Sequence, residues 1–125
     1  MNDATQLANH YIDTWNETDA RRRRALIAQV FAEDAGYVDP MMNGRGQPGI
    51  DAMIAGVQTK FPGYRFNRIG AVDAHGPNLR FSWELLADGK QVIVRGTDFA
   101  VLASDGRLQS VTGFIDQAGG QPAAA

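Results

Sequence analysis

Apolar residues in the first half of the chain recur with the 3.6-residue period of a helix. The stripe that predicts a first helix consists of Leu7, Ala8, Tyr11, Ile12 and Trp15. A second helix is predicted over residues 20–31, with Thr18 or Asp19 as its N-cap, and a third over residues 50–61. Between these two helices, "AEDAG" predicts a turn, "GYVD" a short strand and "PMMNGRGQPG" a loop, because glycine and proline interrupt regular structure.

After Pro62 the apolar period changes to two, which is typical of strands. Strands are predicted over residues 64–75, 79–87, 91–103 and 108–117, and two of the intervening turns contain the hairpin signal Asp-Gly. Helices followed by antiparallel strands predict an α+β fold, with three N-terminal helices packed on a curved, mainly antiparallel sheet. We expect one domain over residues 1–117 and a disordered tail of small residues over 118–125.

The predicted strand over residues 91–103 is apolar on both of its faces. Alternation places Val94 and Asp98 on one face, and Ile93, Phe99 and Val101 on the other. Three helices can cover only one face of the sheet. We therefore expect a homodimer that forms through the outer sheet face.

Three polar residues occupy positions where an apolar or turn residue would suffice: Tyr11 in the helical stripe, Asp39 in "YVDP", and Asp98 in mid-strand. An ionised carboxylate is costly to bury, so such a group pairs, becomes neutral or faces a cavity. Each residue also has a purely structural interpretation. Asp39 can form the turn before Pro40, Asp98 can be a satisfied buried carboxylate, and Tyr11 can be a core residue.

Composition and charge exclude several classes of function. The chain has no cysteine, which excludes disulfides, thiolate metal sites and a cysteine nucleophile. No cluster of His, Asp and Glu has the spacing of a metal site, and we expect no cofactor. There is no apolar run of membrane-spanning length and no signal-peptide pattern, so we expect no membrane partner and a cytoplasmic location.

The four consecutive arginines at residues 21–24 raise the question of a nucleic-acid partner. At about 100° per residue, four successive side chains point to all sides of a helix and form no stripe. The net charge of the chain is −2. We therefore expect no nucleic-acid binding, and we expect these arginines to pair with Glu17, Asp19 or Glu33.

The order of several short motifs resembles the SnoaL-like branch of the nuclear-transport-factor-2-like superfamily. The motifs are "YIDTWNETD", "FAEDAGYVDP", "GIDAMIAG", "FSWEL", "GTDF" and "DGRLQSVTGFID", and the resemblance spans about residues 6–116. It implies a cone-shaped α+β barrel of the cystatin-like type, a deep pocket for a hydrophobic small molecule, and a dimer across the sheet.

Within this superfamily, ketosteroid isomerase resembles the chain in its chemistry. Its pattern falls on Tyr11, Asp39 and Asp98. The resemblance implies that Asp39 is a general base, while Tyr11 and a protonated Asp98 donate hydrogen bonds to the enolate oxygen. The pocket walls are then predicted to be Trp15, Phe31, Tyr37, Ile54, Val57, Phe61, Phe81, Trp83, Val94, Val111 and Ile115.

Some features depart from that isomerase and leave different functions open. Phe31 and Ile54 stand where supporting tyrosines occur in the isomerase, and Trp83 occupies part of the predicted pocket, which speaks against a steroid substrate. A polyketide cyclase-like enzyme also fits the motifs, although such chemistry commonly uses an Asp–His pair and His10 and His75 lie away from the predicted pocket. The same pattern is compatible with a non-catalytic protein that binds a hydrophobic ligand, and with an interaction domain that assembles through the sheet.

Overall fold

The structure, a computed structural model, describes residues 3–88, 90–118 and 121–122. Its helices are α1 (Ala4–Asn16), α2 (Ala20–Val30) and α3 (Gly46–Lys60). Its strands are β1 (Phe31–Val38), β2 (Asn43–Arg45), β3 (Arg65–His75), β4 (Asn78–Ala87), β5 (Gln91–Leu102), β6 (Leu108–Ala118) and β7 (Gln121–Pro122). None of the helices in these ranges is both long and apolar enough to cross a membrane.

The strands form one sheet in the order β2-β1-β6-β5-β4-β3, and β7 pairs with β6. Only the β1–β6 pairing is parallel among the described pairs. The α1 stripe packs over the concave face of this sheet, so that the core lies between them. The predicted α+β fold, with three helices on a curved and mainly antiparallel sheet, is confirmed.

The predicted boundaries near β1 are wrong. The second helix ends at Val30 instead of residue 31, and "AEDAG" belongs to β1 instead of forming a turn. Pairing with the neighbouring strands outweighs the local turn preference, because β1 bonds to β6 on one side and β2 on the other. A register shift between Phe31 and Gly36 absorbs the irregular residues, and Ala35 is fully buried.

The predicted loop over residues 40–49 also contains regular structure. Its residues form β2 and the first turn of α3, which begins at Gly46. Glycine permits this compact arrangement, because a Cβ on Gly44 would lie 3.0 Å from the carbonyl oxygen of Gly49. The predicted disordered tail differs in part as well. Ala118 ends β6 and Gln121–Pro122 form β7, while the remaining tail residues lie outside the described part of the chain.

Helix α2 is held to its neighbours by a buried arginine. Asp19 is the N-cap and accepts a hydrogen bond from the Arg22 backbone N–H. The Arg23 side chain is 4% exposed and its Nε lies 2.7 Å from Asp51 Oδ1 of α3. The expected pairing with the side chain of Glu17, Asp19 or Glu33 is therefore wrong for Arg23, because its guanidinium points between the helices.

We expect Arg23→Met to lower the free energy of unfolding by about 2 kcal/mol, the scale of hydrogen bonds to charged groups. Besides Asp51, the guanidinium bonds the Glu17 carbonyl and the Gln58 amide oxygen, so the substitution leaves several acceptors without a donor. Arg24→Met is the matched control, because Arg24 is exposed on the same helix. Urea unfolding of both variants measures the difference, and equal losses would contradict the assigned role.

Candidate functional site

The concave side of the sheet encloses an apolar cavity beneath α1 and α3. The cavity is small, with a volume of about 80 Å³. Its lining residues are Tyr11, Ile12, Trp15, Tyr37, Asp39, Met41, Met42, Val57, Phe61, Phe66, Trp83, Leu85, Val94, Asp98 and Ile115. A few polar groups in mainly aromatic and aliphatic walls are typical of a small-molecule site.

Asp98 lies at the closed end of the cavity, on the inner face of β5, and is 2% exposed. The Tyr11 hydroxyl donates a hydrogen bond to its Oδ2 at 2.7 Å. The Trp83 indole N–H donates to its Oδ1 at 3.0 Å. Both carboxylate oxygens are therefore bonded to side chains from different elements, one from α1 and one from β4.

Gly96 makes the contact between Trp83 and Asp98 possible. It is the β5 partner of Trp83, and the indole ring lies directly over it. A Cβ at this position would overlap the indole ring and lie 2.6 Å from the Phe114 carbonyl oxygen. Only glycine leaves room for the ring to lie flat against β5 and reach the carboxylate two residues along the strand.

The electrostatics of the closed end follow from its burial. Burial raises the pKa of the Asp98 carboxyl from 3.8 to about 6, although the hydrogen bonds from Tyr11 and Trp83 act to lower it. Burial, and after it the charge of Asp98, raises the pKa of the Tyr11 hydroxyl well above 10.0. Tyr11 is consequently a neutral donor at neutral pH, and Asp98 exchanges its proton close to the neutral range.

Asp39 lies at the mouth of the cavity, directly after β1. Its Oδ1 accepts the backbone N–H groups of Met41 and Met42 at 2.8 and 2.9 Å, an arrangement that closes a turn. Its Oδ2 accepts the Tyr37 hydroxyl at 2.7 Å. The turn and cavity interpretations of "YVDP" are therefore compatible, because one carboxylate oxygen closes the turn while the half-buried side chain also lines the cavity.

Gly113 of β6 marks the place where the two carboxylates approach each other. It is the strand partner of Asp98. A Cβ on it would lie 2.9 Å from Asp98 Oδ1, 3.0 Å from the Tyr37 hydroxyl oxygen and 3.1 Å from Asp39 Cβ. Sequence reasoning missed this residue. The available signal was a glycine inside a predicted strand, which often marks a close approach of other groups.

The structure brings Tyr11, Asp39 and Asp98 to one cavity. The predicted wall residues that line it are Trp15, Tyr37, Val57, Phe61, Trp83, Val94 and Ile115. Four predicted wall residues do not line it and lie in the core: Phe31, Ile54, Phe81 and Val111. The Tyr11 ring separates two of them from the cavity, because it packs on Phe31 and Phe81 with ring centres 5.8 and 5.4 Å apart.

Five lining residues were not predicted: Ile12, Met41, Met42, Phe66 and Leu85. Ile12 shares the α1 stripe with Tyr11 and Trp15, so its position could have been found from the helical period. Phe66 and Leu85 alternate with polar residues and are cross-strand partners. Met41 and Met42 lie in an irregular segment where no period indicates which way a side chain points.

The residues at the cavity do not provide a metal site. Across the described residues, no group of three or more His, Cys, Asp and Glu side chains could hold a metal ion. His10 and His75 are both described and neither lines the cavity. The polar chemistry of the site thus rests on carboxyl, phenol and indole groups.

Comparisons with known proteins agree with the fold. A family model described as SnoaL-like domain matches residues 8–111. A solved structure of a proposed isomerase of the SnoaL-like family from Agrobacterium tumefaciens str. C58 is 46% identical, covers 90% of this chain and 97% of that chain, and has a TM-score of 0.88. No curated protein matches the sequence.

Two more distant structures share the fold alone. A SnoaL-like protein from Burkholderia thailandensis e264 is 19% identical, with coverage of 91% of this chain and 95% of that chain and a TM-score of 0.72. A proposed SnoaL-like polyketide cyclase from Jannaschia sp. CCS1 is 17% identical, with coverage of 93% and 91% and a TM-score of 0.69.

Proposed function

The chain belongs to the SnoaL-like family, and from this premise we propose that it is a cofactor-free enzyme that moves a proton next to the carbonyl group of a small apolar compound. The observation that carries the proposal is the convergence of Asp39 and of the Tyr11–Asp98 pair on one apolar cavity. Removing a proton next to a carbonyl requires a base on one side and neutral hydrogen-bond donors at the oxygen.

Asp39 is the proposed base. It lies at the mouth of the cavity, its Oδ1 is fixed by two backbone N–H groups, and its Oδ2 is held by a phenol instead of a cation. These bonds orient the carboxylate. The Tyr37 hydroxyl that holds Oδ2 stays neutral, because burial and then the Asp98 charge raise its pKa.

The role proposed for Asp98 differs from direct donation to the substrate. In its ionised form, Asp98 accepts the Tyr11 hydroxyl proton and Tyr11 has none to offer a ligand. In its protonated form, Oδ2 carries the proton and donates it to the Tyr11 oxygen, while Oδ1 keeps its bond from Trp83. The Tyr11 hydroxyl is then released to donate to the substrate oxygen, so Asp98 acts through Tyr11.

The size of the cavity limits the substrate. Pockets for drug-sized ligands have volumes of roughly 300–1,000 Å³. Trp83 and Phe66, whose ring centres lie 5.3 Å apart, narrow the space between α1 and the sheet. We therefore assign the site a carbonyl compound with fewer rings than a steroid, with isomerisation or ring closure as the reaction class.

A binding protein without chemistry is the second candidate. It is favoured by the three hydrogen bonds that Asp39 already accepts, because they engage both carboxylate oxygens with protein donors. In this case the same cavity holds an apolar ligand, and no C–H bond of the ligand is broken.

Deuterium incorporation separates the two candidates. A panel of cyclic and aryl ketones is incubated with the protein in D₂O, and loss of the signals of protons beside the carbonyl is followed by proton NMR. We expect at least one ketone to exchange faster with the protein than with buffer. A panel in which every bound ketone exchanges at the buffer rate would contradict the enzymatic function.

We also propose that the outer sheet face forms a homodimer. Phe99 and Phe114 are 39% and 55% exposed, and strand pairing places Val38 on the same face, with 48% exposure. Partly buried Ile93 and Val101 extend this surface. An apolar surface of this kind is typical of an interface between subunits.

Phe99→Glu should convert the dimer to a monomer at micromolar concentration, because the substitution places a charge in the apolar interface. Met41→Glu is the matched control, since Met41 is 70% exposed but lies at the cavity mouth. Light scattering of the wild type and both variants measures the oligomeric state. A monomeric wild type would refute the interface.

A further inference from the structure

One buried hydrogen-bond donor at the cavity has no acceptor among the described residues. Asp98 accepts from Tyr11 and Trp83, and Asp39 accepts from Tyr37 and two backbone N–H groups. The donor left over is the Trp15 indole N–H. Within the described residues, its nitrogen is the one buried side-chain N or O atom that has no hydrogen-bond partner.

The Trp15 ring lies next to the two tyrosines that bind the carboxylates, Tyr11 and Tyr37. It is 7% exposed and lines the cavity, and it packs against Tyr37 and Phe66 with ring centres 5.4 and 5.3 Å apart. The Trp15 and Tyr11 rings meet in a T-shaped arrangement with their centres 6.4 Å apart. Trp15 follows Tyr11 by four residues on α1, so both side chains project from the same face of the helix, and both line the cavity.

A buried N–H without an acceptor is unfavourable, and native proteins leave few such groups. The carboxylate oxygens of Asp39 and Asp98 accept bonds from other donors, and none of them is a hydrogen-bond partner of the Trp15 N–H in the structure. The aromatic walls alone could also favour a cation. An ammonium group, however, has only hydrogen-bond donors and no acceptor, so it would leave the Trp15 N–H unsatisfied.

We propose that the Trp15 indole N–H binds the oxygen of the ligand together with the Tyr11 hydroxyl, so that the cavity selects a small apolar ligand with one unprotonated oxygen acceptor. The inference rests on the proposed function, for which this oxygen is the carbonyl oxygen of the substrate. Trp15 is then the residue that distinguishes a ketone from a hydrocarbon of the same shape. A site built around such a donor discriminates strongly, because the analogue leaves the donor unpaired.

The test uses cyclohexanone and methylenecyclohexane, a pair of similar shape in which an oxygen acceptor is replaced by a CH₂ group. Cyclohexylamine, protonated at neutral pH, is the cationic probe. We expect the wild type to bind the ketone at least about tenfold more tightly than the other two compounds, and Trp15→Phe to lose this preference. Binding of methylenecyclohexane should change less than about twofold in the variant, since phenylalanine keeps an apolar wall.

A second measurement on the wild type does not depend on the variant folding. The chain has two tryptophans, so its proton–nitrogen NMR spectrum contains two indole N–H signals, and Trp15→Phe or Trp83→Phe assigns them. Cyclohexanone should move the Trp15 signal downfield and leave the Trp83 signal, already bonded to Asp98, nearly unchanged. Methylenecyclohexane should not produce this downfield shift.

Equal affinity of the wild type for ketone and methylene analogue, or a Trp15 signal unmoved by the ketone, would overturn the assignment. Tighter binding of cyclohexylamine would replace it with a cation site. Deuterium exchange of the ketone reports separately on the proposed function. Exchange without a Trp15 preference removes only the role of Trp15, and a Trp15-dependent preference without exchange leaves a binding protein.

Discussion

Asp39→Asn should reduce protein-catalysed deuterium exchange about 10²–10⁴-fold, the range for the loss of a general base. Asparagine preserves the local structure, because its Oδ1 can still accept the Met41 and Met42 N–H groups and its amide can donate to the Tyr37 oxygen. The substitution should therefore lower the rate of deuterium exchange. The urea concentration at the unfolding midpoint should change no more than it does for a typical surface substitution.

Asp34→Asn is the matched control, because Asp34 is an exposed carboxylate on the same strand whose partner is the Gln109 side chain. The Asp34→Asn variant should catalyse deuterium exchange of the ketone protons at the wild-type rate. An Asp39→Asn variant that retains more than about a tenth of the wild-type rate would remove Asp39 as the base, since loss of a general base costs about 10²-fold or more.

The stability of the wild type should depend on pH through Asp98. Its pKa is about 6 in the folded protein and 3.8 without the influence of the fold, so the folded state binds the proton more tightly. The corresponding stabilisation is fully present below about pH 3.8 and is lost as the pH rises through 6. The full change is about 3 kcal/mol, of which about 2 kcal/mol falls between pH 4.5 and 7.5.

The Asp98→Asn variant isolates this contribution from those of other carboxyl groups. Its amide oxygen can accept the Trp83 N–H and its amide nitrogen can donate to the Tyr11 oxygen, so similar contacts remain without a titrating group. Relative to the wild type, the variant should therefore become more stable as the pH rises from 4.5 to 7.5. Urea unfolding at each pH measures the difference, and a constant difference would show that burial does not raise the Asp98 pKa.

Long periodic segments made the fold predictable. The α1 stripe and the alternation in β3 to β6 each extend over enough residues for one face to be identified, and the structure follows them. The first half of β1 was misread because "AEDAG" has turn-forming residues. Its strand conformation is imposed by pairing with β2 and β6. Strand β6 is distant in sequence, and β2 lies in a segment whose glycines and prolines predicted a loop.

The polar ends of the cavity were predictable only in part. Asp98 could be located because an acid inside an apolar strand face breaks the alternation, and Tyr11 because it interrupts an apolar stripe. Their contact joins residues 87 positions apart, and no local pattern indicates that Trp83 supplies the second bond. The same limitation explains why Phe31 and Phe81 were assigned to the cavity, since facing the interior does not distinguish the wall of a cavity from the core behind it.

Carboxyl-carbon NMR titration of the aspartates tests most directly whether Asp98 can take up a proton and release the Tyr11 hydroxyl. We expect the wild-type Asp98 signal to titrate at about pH 6. In Tyr11→Phe the midpoint should rise, because the hydrogen bond that favours the ionised form is lost. A wild-type Asp98 that titrates at or below the ordinary aspartate value of about 3.9 would contradict the proposed proton-transfer site.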